Sequence, residues 1–309
     1  MSTLVSPSAP ATVPAPSMLR DLLSLTKPRI TFMVVLTTAG GLWLASGETL
    51  PSMWLVLGTL LATAMVVSSA NALNCWMERD IDRHMTRTKD RPLPAGRLDP
   101  RVALVWGVAL GAVSVPLLAI FANPMTAFLG AVALLSYVGI YTPLKQRSWT
   151  ALLIGSVPGA LPPLMGWTAI TGQIEAPGVV LFGILFLWQL PHFIAISLFR
   201  QGEYTRAGFK VLPAVLGRHS AKVHAVLWAA ALVPVSLALV PLGIAGWLYL
   251  SVAGLAGLWF FARALQGLRE SVAGDKLAEH QWSRQLFFAS LAYLPVVFAA
   301  LAVDVTGGF

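Results

Sequence analysis

The chain has 309 residues, of which 57% are hydrophobic and only 11% charged, with 21 Lys and Arg against 13 Asp and Glu. A soluble domain carries about 25% charged residues, so this composition excludes an ordinary soluble globule and points to a membrane. No soluble domain remains to present the net charge of +8 to a nucleic acid, and the single Cys75 excludes an intrachain disulfide or a multi-thiol metal site.

Residues 2–18 are rich in Ser, Ala and Pro and lack an early basic region. They read as a disordered tail, residues 1–18, ahead of a transmembrane domain over 19–309. Charge-free runs follow at 30–47, 49–77, 102–144, 148–174, 176–199, 223–262 and 285–303. A spanning helix needs about 20 residues. The two longest runs are therefore hairpins, folding near Ala122-Asn123-Pro124 and Pro241-Leu242-Gly243. Nine spans result, at 30–47, 52–77, 102–121, 125–144, 149–171, 178–199, 221–240, 244–264 and 285–304. All 21 basic residues fall before the first span or in the second, fourth, sixth and eighth connections, counting Lys222 and Arg263 at the span ends that border them. The positive-inside bias then places the N-terminus and those connections in the cytoplasm and the C-terminus outside. A loose likeness between "RPLPAGR" (91–97) and "KVLPAVLGR" (210–218) suggests a duplicated four-helix unit with an extra ninth helix.

The second span runs into an abrupt change of character. Residues 49–77 carry no Asp, Glu, Lys or Arg, yet twelve of the 24 residues from Glu78 to Arg101 are charged. Asn74, Glu78 and Asp82 are spaced four apart. On a continuous helix they form one stripe of roughly 12 Å, at 1.5 Å per residue. A carboxamide and two carboxylates offer hard oxygens to a divalent cation, and Mg²⁺ commonly completes such a shell with substrate phosphates. The alternative is a solvated helix end whose acids pair with Arg79, Arg83 and Lys89. Arg87, Lys89, Arg91 and Arg97 follow closely, among Pro92, Pro94 and Gly96. Guanidinium forks match phosphate oxygens, so donors for a metal and for an anion share one loop. Tyr141 and Lys145 lie one turn apart at the end of the fourth span. They are either interfacial anchors or added positive charge for a leaving diphosphate. In the sixth span Gln189 and His192 flank Pro191. An intramembrane imidazole is a metal or haem ligand, a proton carrier, or a partner for a carbonyl freed at the proline.

"NCWMERDIDRHMTRTKDRPLP" (74–94) resembles the Asn-x3-Asp-x3-Asp motif of the UbiA-like intramembrane prenyltransferases. "LTKPRITFMVVLTTAGG" (25–41), "YTPLKQRS" (141–148), "GALPPLMGW" (159–167) and "LFLWQLPHFIAISLFR" (185–200) are similar, in the same order, to the protoheme IX farnesyltransferase (haem O synthase) family within that superfamily. The resemblance implies an all-α membrane protein, nine helices bundled around a central cavity. It implies transfer of a farnesyl group from farnesyl diphosphate to a vinyl group of haem b in a bacterial cytoplasmic membrane. Asn74, Glu78 and Asp82 would hold Mg²⁺ and diphosphate, Arg87, Arg91 and Lys145 with Tyr141 would meet the diphosphate, and Gln189 and His192 would lie toward haem b. Haem A synthase stands as a candidate partner. One departure matters: after the sixth span, where quinone-type members carry a second acidic motif, this chain has only Glu203. Two rivals stay open, a prenyltransferase for a quinone precursor and a transporter of an anionic lipid.

Overall fold

A computed structural model describes residues 17–47, 49–269, 272 and 274–305. Among them nine helices are long and apolar enough to cross a membrane. They are α1 (Pro28–Ser46), α2 (Met53–Met77), α3 (Pro100–Phe121), α4 (Pro124–Leu144), α5 (Ala151–Thr171), α6 (Ala176–Phe199), α7 (Arg218–Leu237), α8 (Trp247–Leu268) and α9 (Lys276–Val303). Local chemistry marks the ends. Asn123 caps α4, its side chain accepting from the Thr126 amide, and Pro124 takes the first helical position where no N–H is needed. Gly243 adopts φ 76° in the other expected hairpin, a conformation open to glycine.

Three expectations are corrected. α9 begins at Lys276, nine residues ahead of the charge-free run. Its first turns carry charges that are paired inside the protein: Glu279 bonds Arg218 and Lys222 of α7. The helix of the second span does not continue unbroken through Asp82. α2 stops at Met77, Glu78 sits at φ −93°, ψ 5°, and a short helix Arg79–Asp82 resumes. The 4 + 4 + 1 arrangement also gives way, since α1 to α5 pack as one ring and α6 to α9 as a second, joined through α5 and α6. Residues 1–16 of the expected tail lie outside the described residues; Ser17 caps a helix over Met18–Leu25.

Small residues let the helices meet. A Cβ at Gly41 would lie 2.0 Å from the Pro163 carbonyl oxygen, and one at Gly166 would lie 2.1 Å from that of Thr38. Only glycine permits this backbone contact of α1 with α5, the usual device where lipid offers no hydrophobic drive. Ser69 adds a 2.7 Å bond to the Gly107 carbonyl, tying α2 to α3. Ile30, Phe32, Leu61, Val105 and Leu255 are exposed, as side chains facing lipid must be.

Candidate active site

The ends of α2, α4 and α6 and the loops beyond them converge. Asn74, Glu78 and Asp82 are all buried there. The break at Glu78 does not scatter them, because Glu78 N still bonds Asn74 O (2.9 Å) and Asp82 N bonds Glu78 O (2.8 Å). Each side chain meets one cation, and each cation comes from a different segment. Lys27, just ahead of α1, donates to Asn74 Oδ1 at 3.1 Å. Lys145, just past α4, lies 2.6 Å from Glu78 Oε1. Arg91, in the loop after α2, donates to Asp82 Oδ2 at 2.8 Å. The solvated-end alternative fails here: Arg79 and Arg83 pair with Asp80, which is exposed.

Local backbone irregularity aims these groups. Ser136–Tyr141 within α4 forms a π-helical turn, a feature frequent at functional sites. It turns Thr142 inward, where its hydroxyl donates to the Tyr137 carbonyl (2.9 Å) and accepts from Asn74 Nδ2 (3.3 Å). The amide of Asn74 is thereby oriented, with its oxygen toward Lys27. Lys27 is the one non-glycine described residue with positive φ, at 48°. A left-handed residue costs about 1–3 kcal/mol and clusters at functional sites. Burial pulls the Lys27 ammonium below the usual lysine range. Burial acts the same way on Lys145, but Tyr141 and Glu78 beside it outweigh that and hold it above the usual range.

Aromatic groups close over Lys145. Its ammonium lies 4.7 Å from the Tyr141 ring centre and 5.7 Å from that of Phe209, within cation–π reach. The Lys210 amide bonds the Lys145 carbonyl at 3.0 Å, fastening the loop after α6 across the site. A cleft of about 350 Å³ opens beside the cluster, lined by Met77, Glu78, Thr142, Pro143, Gln146 and Arg147. Arg87 is exposed, forms no ion pair among the described residues, and sits near enough to Tyr204 to act on its hydroxyl electrostatically.

Asn74, Glu78, Asp82, Arg91, Tyr141 and Lys145 are thus brought together, with Arg87 at the rim. Gln189 and His192 are not part of this cluster. Gln189 donates to the carbonyls of Leu185 (3.0 Å) and Ser156 (3.4 Å), packing into the space left by Gly159 of α5. His192 turns instead to α9 and bonds Ser290. Lys27, Thr142 and Phe209 join this cluster although no spacing or charge pattern singled them out; the left-handed conformation of Lys27 ahead of Pro28 is a property of the folded backbone.

One amide and two carboxylate oxygens, buried and a turn apart, suit a hard divalent cation in kind. The cations now on them suit an anion. The sequence matches the UbiA prenyltransferase family over residues 34–292. This chain belongs to that family. It is 50% identical over 291 residues to the protoheme IX farnesyltransferase of Anaeromyxobacter dehalogenans, covering 94% of this chain and 96% of the relative. It is 52% identical over 289 residues to that of Myxococcus xanthus, with the same coverage. Among solved UbiA-family folds, a digeranylgeranylglyceryl phosphate synthase superposes with a TM-score of 0.78 at 20% identity, covering 93% of this chain and 98% of the other. A UbiA homologue from Archaeoglobus fulgidus bound to GPP and Mg²⁺ gives 0.65 at 18% identity, covering 91% and 99%. At those identities the UbiA-family structures establish the fold alone.

Proposed function

We propose that this multi-pass membrane protein transfers the farnesyl group of farnesyl diphosphate to a vinyl group of haem b, giving haem O and diphosphate. Relatives that carry this activity in their name match it end to end at half identity. The observation that supports a diphosphate site is the one-to-one matching of buried oxygens with Lys27, Lys145 and Arg91. A metal–diphosphate needs both sets at once. Asn74, Glu78 and Asp82 would hold the metal and the three cations would meet the phosphates, so that no buried charge need be left unpaired. Bound Mg²⁺ would offset the charge developing on the leaving group.

The reaction balances simply. The C1–O bond of farnesyl diphosphate breaks and both electrons leave with the diphosphate. Lys145, Arg91 and Arg87 are assigned to stabilise that charge, an electrostatic role realised in the transition state, and Lys27 to bind the diphosphate before the bond breaks. The vinyl carbon forms the new C–C bond to C1, and Tyr141 and Phe209 offer aromatic faces to the allylic cation. Water adds to the cation formed next to the porphyrin ring and loses a proton. The Lys and Arg bias supports a cytoplasmic N-terminus and diphosphate site, in a bacterial inner membrane. We assign the residues ahead of the Met18–Leu25 helix to a tail and the remainder to the catalytic domain, with haem A synthase as a partner.

Membranes containing the protein are incubated with farnesyl diphosphate, Mg²⁺ and either haem b or 4-hydroxybenzoate. A product of haem O mass, lost on chelation with EDTA and restored by Mg²⁺, is expected. Prenylated benzoate, or intact farnesyl diphosphate moved across the membrane, overturns the reading.

A further inference from the structure

A second polar centre lies between α6 and α9, about 10 Å inside the bundle from Phe199 at 1.5 Å per residue. His192 Nδ1 is 2.7 Å from Ser290 Oγ. Ser290 Oγ is also 2.6 Å from the Phe287 carbonyl oxygen, and the Ser290 carbonyl accepts from Trp188 Nε1 at 2.7 Å. These distances determine where the imidazole proton sits. A carbonyl cannot donate, so the bond to Phe287 takes the single hydroxyl hydrogen of Ser290. The oxygen is then free to accept, and Nδ1 must be the nitrogen that carries hydrogen. The opposite assignment, Ser290 donating to Nδ1, forfeits the Phe287 bond and turns an N–H at Nε2 toward groups that offer it no acceptor. One arrangement makes two hydrogen bonds and the other makes one, at about 1 kcal/mol each.

Nε2 is left with an unshared pair and has no protein partner among the described residues. Its surroundings are apolar: the Trp188 ring stacks on the imidazole at 5.0 Å, Phe287 lies at 4.9 Å, and Phe193 meets it edge-on at 5.3 Å. Phe193 is 42% exposed, so this side of the aromatic cluster faces the surroundings of the bundle. A neutral imidazole held by one nitrogen and bare at the other is the common protein ligand for a metal. The hydrogen bond on the far nitrogen sets ring orientation and raises basicity.

We propose that Ser290 is a positioning residue that holds His192 in the Nδ1–H form, so that Nε2 ligates the iron of the porphyrin acceptor. The proposal rests on the haem reading of the function and adds the atom that meets the iron and the residue that presents it. Trp188 locks Ser290 through its carbonyl, while Trp188 and Phe287 fix the imidazole plane.

Purified full-length protein is titrated with haem b and followed by absorption and resonance Raman spectroscopy. Wild type is expected to show a histidine-ligated haem with an iron–histidine stretch in the ferrous state. His192→Gly should lose that signature and regain it with added imidazole. Ser290→Ala should lower haem affinity about tenfold, the usual scale for losing such an outer partner, and should shift the stretch, while Ser290→Thr keeps both. Affinity for farnesyl diphosphate, measured on the same samples, should be unchanged in all three variants and shows that they are folded. A His192→Gly protein with the wild-type spectrum, or a Ser290→Ala protein with an unshifted stretch and full affinity, overturns the proposal. Wild type that makes haem O without a histidine signature overturns it and leaves the function standing. Wild type that neither binds haem nor makes haem O removes both.

Discussion

Glu78 and Glu279 are both buried glutamates near the basic end of the bundle, and both meet lysine. Their settings differ in one respect that separates a site from a strut. Glu279 takes Arg218 at 2.8 Å on one oxygen and Lys222 at 2.9 Å on the other. Both cations stand on α7, one turn apart, and Arg218 also bonds Gln201. Lys222 is itself buried, with the Trp282 ring 5.9 Å away. Parting this pair means separating α7 from α9. Glu78 has a single cation, Lys145, and lines a cleft. Its neighbours Asn74 and Asp82 likewise have one cation each, on segments that are not helices of the core. Such pairs part by side-chain rotation. A buried carboxylate saturated by one helix holds structure, whereas one matched singly from a segment outside the core helices can exchange partners.

The sharpest break of that comparison is in activity. Asp82→Asn keeps the shape and removes the charge that a metal–diphosphate needs, so turnover should fall by about 10²–10³, the scale of lost transition-state electrostatics. Haem O formation by detergent-purified enzyme, corrected for folded protein, measures it. Glu279→Gln in the same assay should retain its turnover per folded molecule. Equal losses in both would mean that the two clusters do one job.

The next effect is in stability and has the opposite order. Glu279→Gln leaves Arg218 and Lys222 facing each other without a counter-charge. Breaking a buried pair from one side costs about 3–5 kcal/mol, which unfolding in mixed micelles should report. Asp82→Asn should lose less, since it leaves one cation without its carboxylate, where Glu279→Gln leaves two, one of them the buried Lys222. A Glu279→Gln protein as stable as wild type would make that cluster a candidate site in its own right.

Sequence pattern reached the nine spans because lipid-facing helices exclude charge, and the hairpins because Asn123-Pro124 and Gly243 carry their own turn chemistry. It missed the start of α9 for the same reason: Lys276, Glu279 and Arg284 looked like a loop, and their inclusion depends on α7 supplying Arg218 and Lys222 from 61 and 57 residues away. The Asn74, Glu78 and Asp82 stripe was legible from spacing, and survives the break at Glu78 because the i to i+4 bonds do. The π turn was not legible, since no residue in Ser136–Tyr141 announces an extra residue per turn; packing against α5, where Gly155 makes room for the Tyr141 ring, accompanies it. Gln189 and His192 stand three apart on one helix, yet one serves α5 and the other α9. Periodicity places side chains on a face and cannot say that two helices meet that face.

The smallest expected effect tests the least legible member of the site. Lys27 contributes one charge-assisted bond, worth about 1.5–3 kcal/mol, so Lys27→Met should raise KM for farnesyl diphosphate by about tenfold or more. The value of kcat should change little if the contact is equally strong before and during bond breaking. The pH dependence carries the sign. Burial lowers the pKa of this lysine, so its ammonium is lost at lower pH than that of an exposed lysine, and diphosphate affinity should weaken on the alkaline side. Lys27→Arg, which stays charged there, should move that limb to higher pH while keeping KM near wild type at neutrality. A KM that rises on the same alkaline limb in Lys27→Arg would assign the titration to another group, and an unchanged KM in Lys27→Met would reduce Lys27 to a cap that orients Asn74.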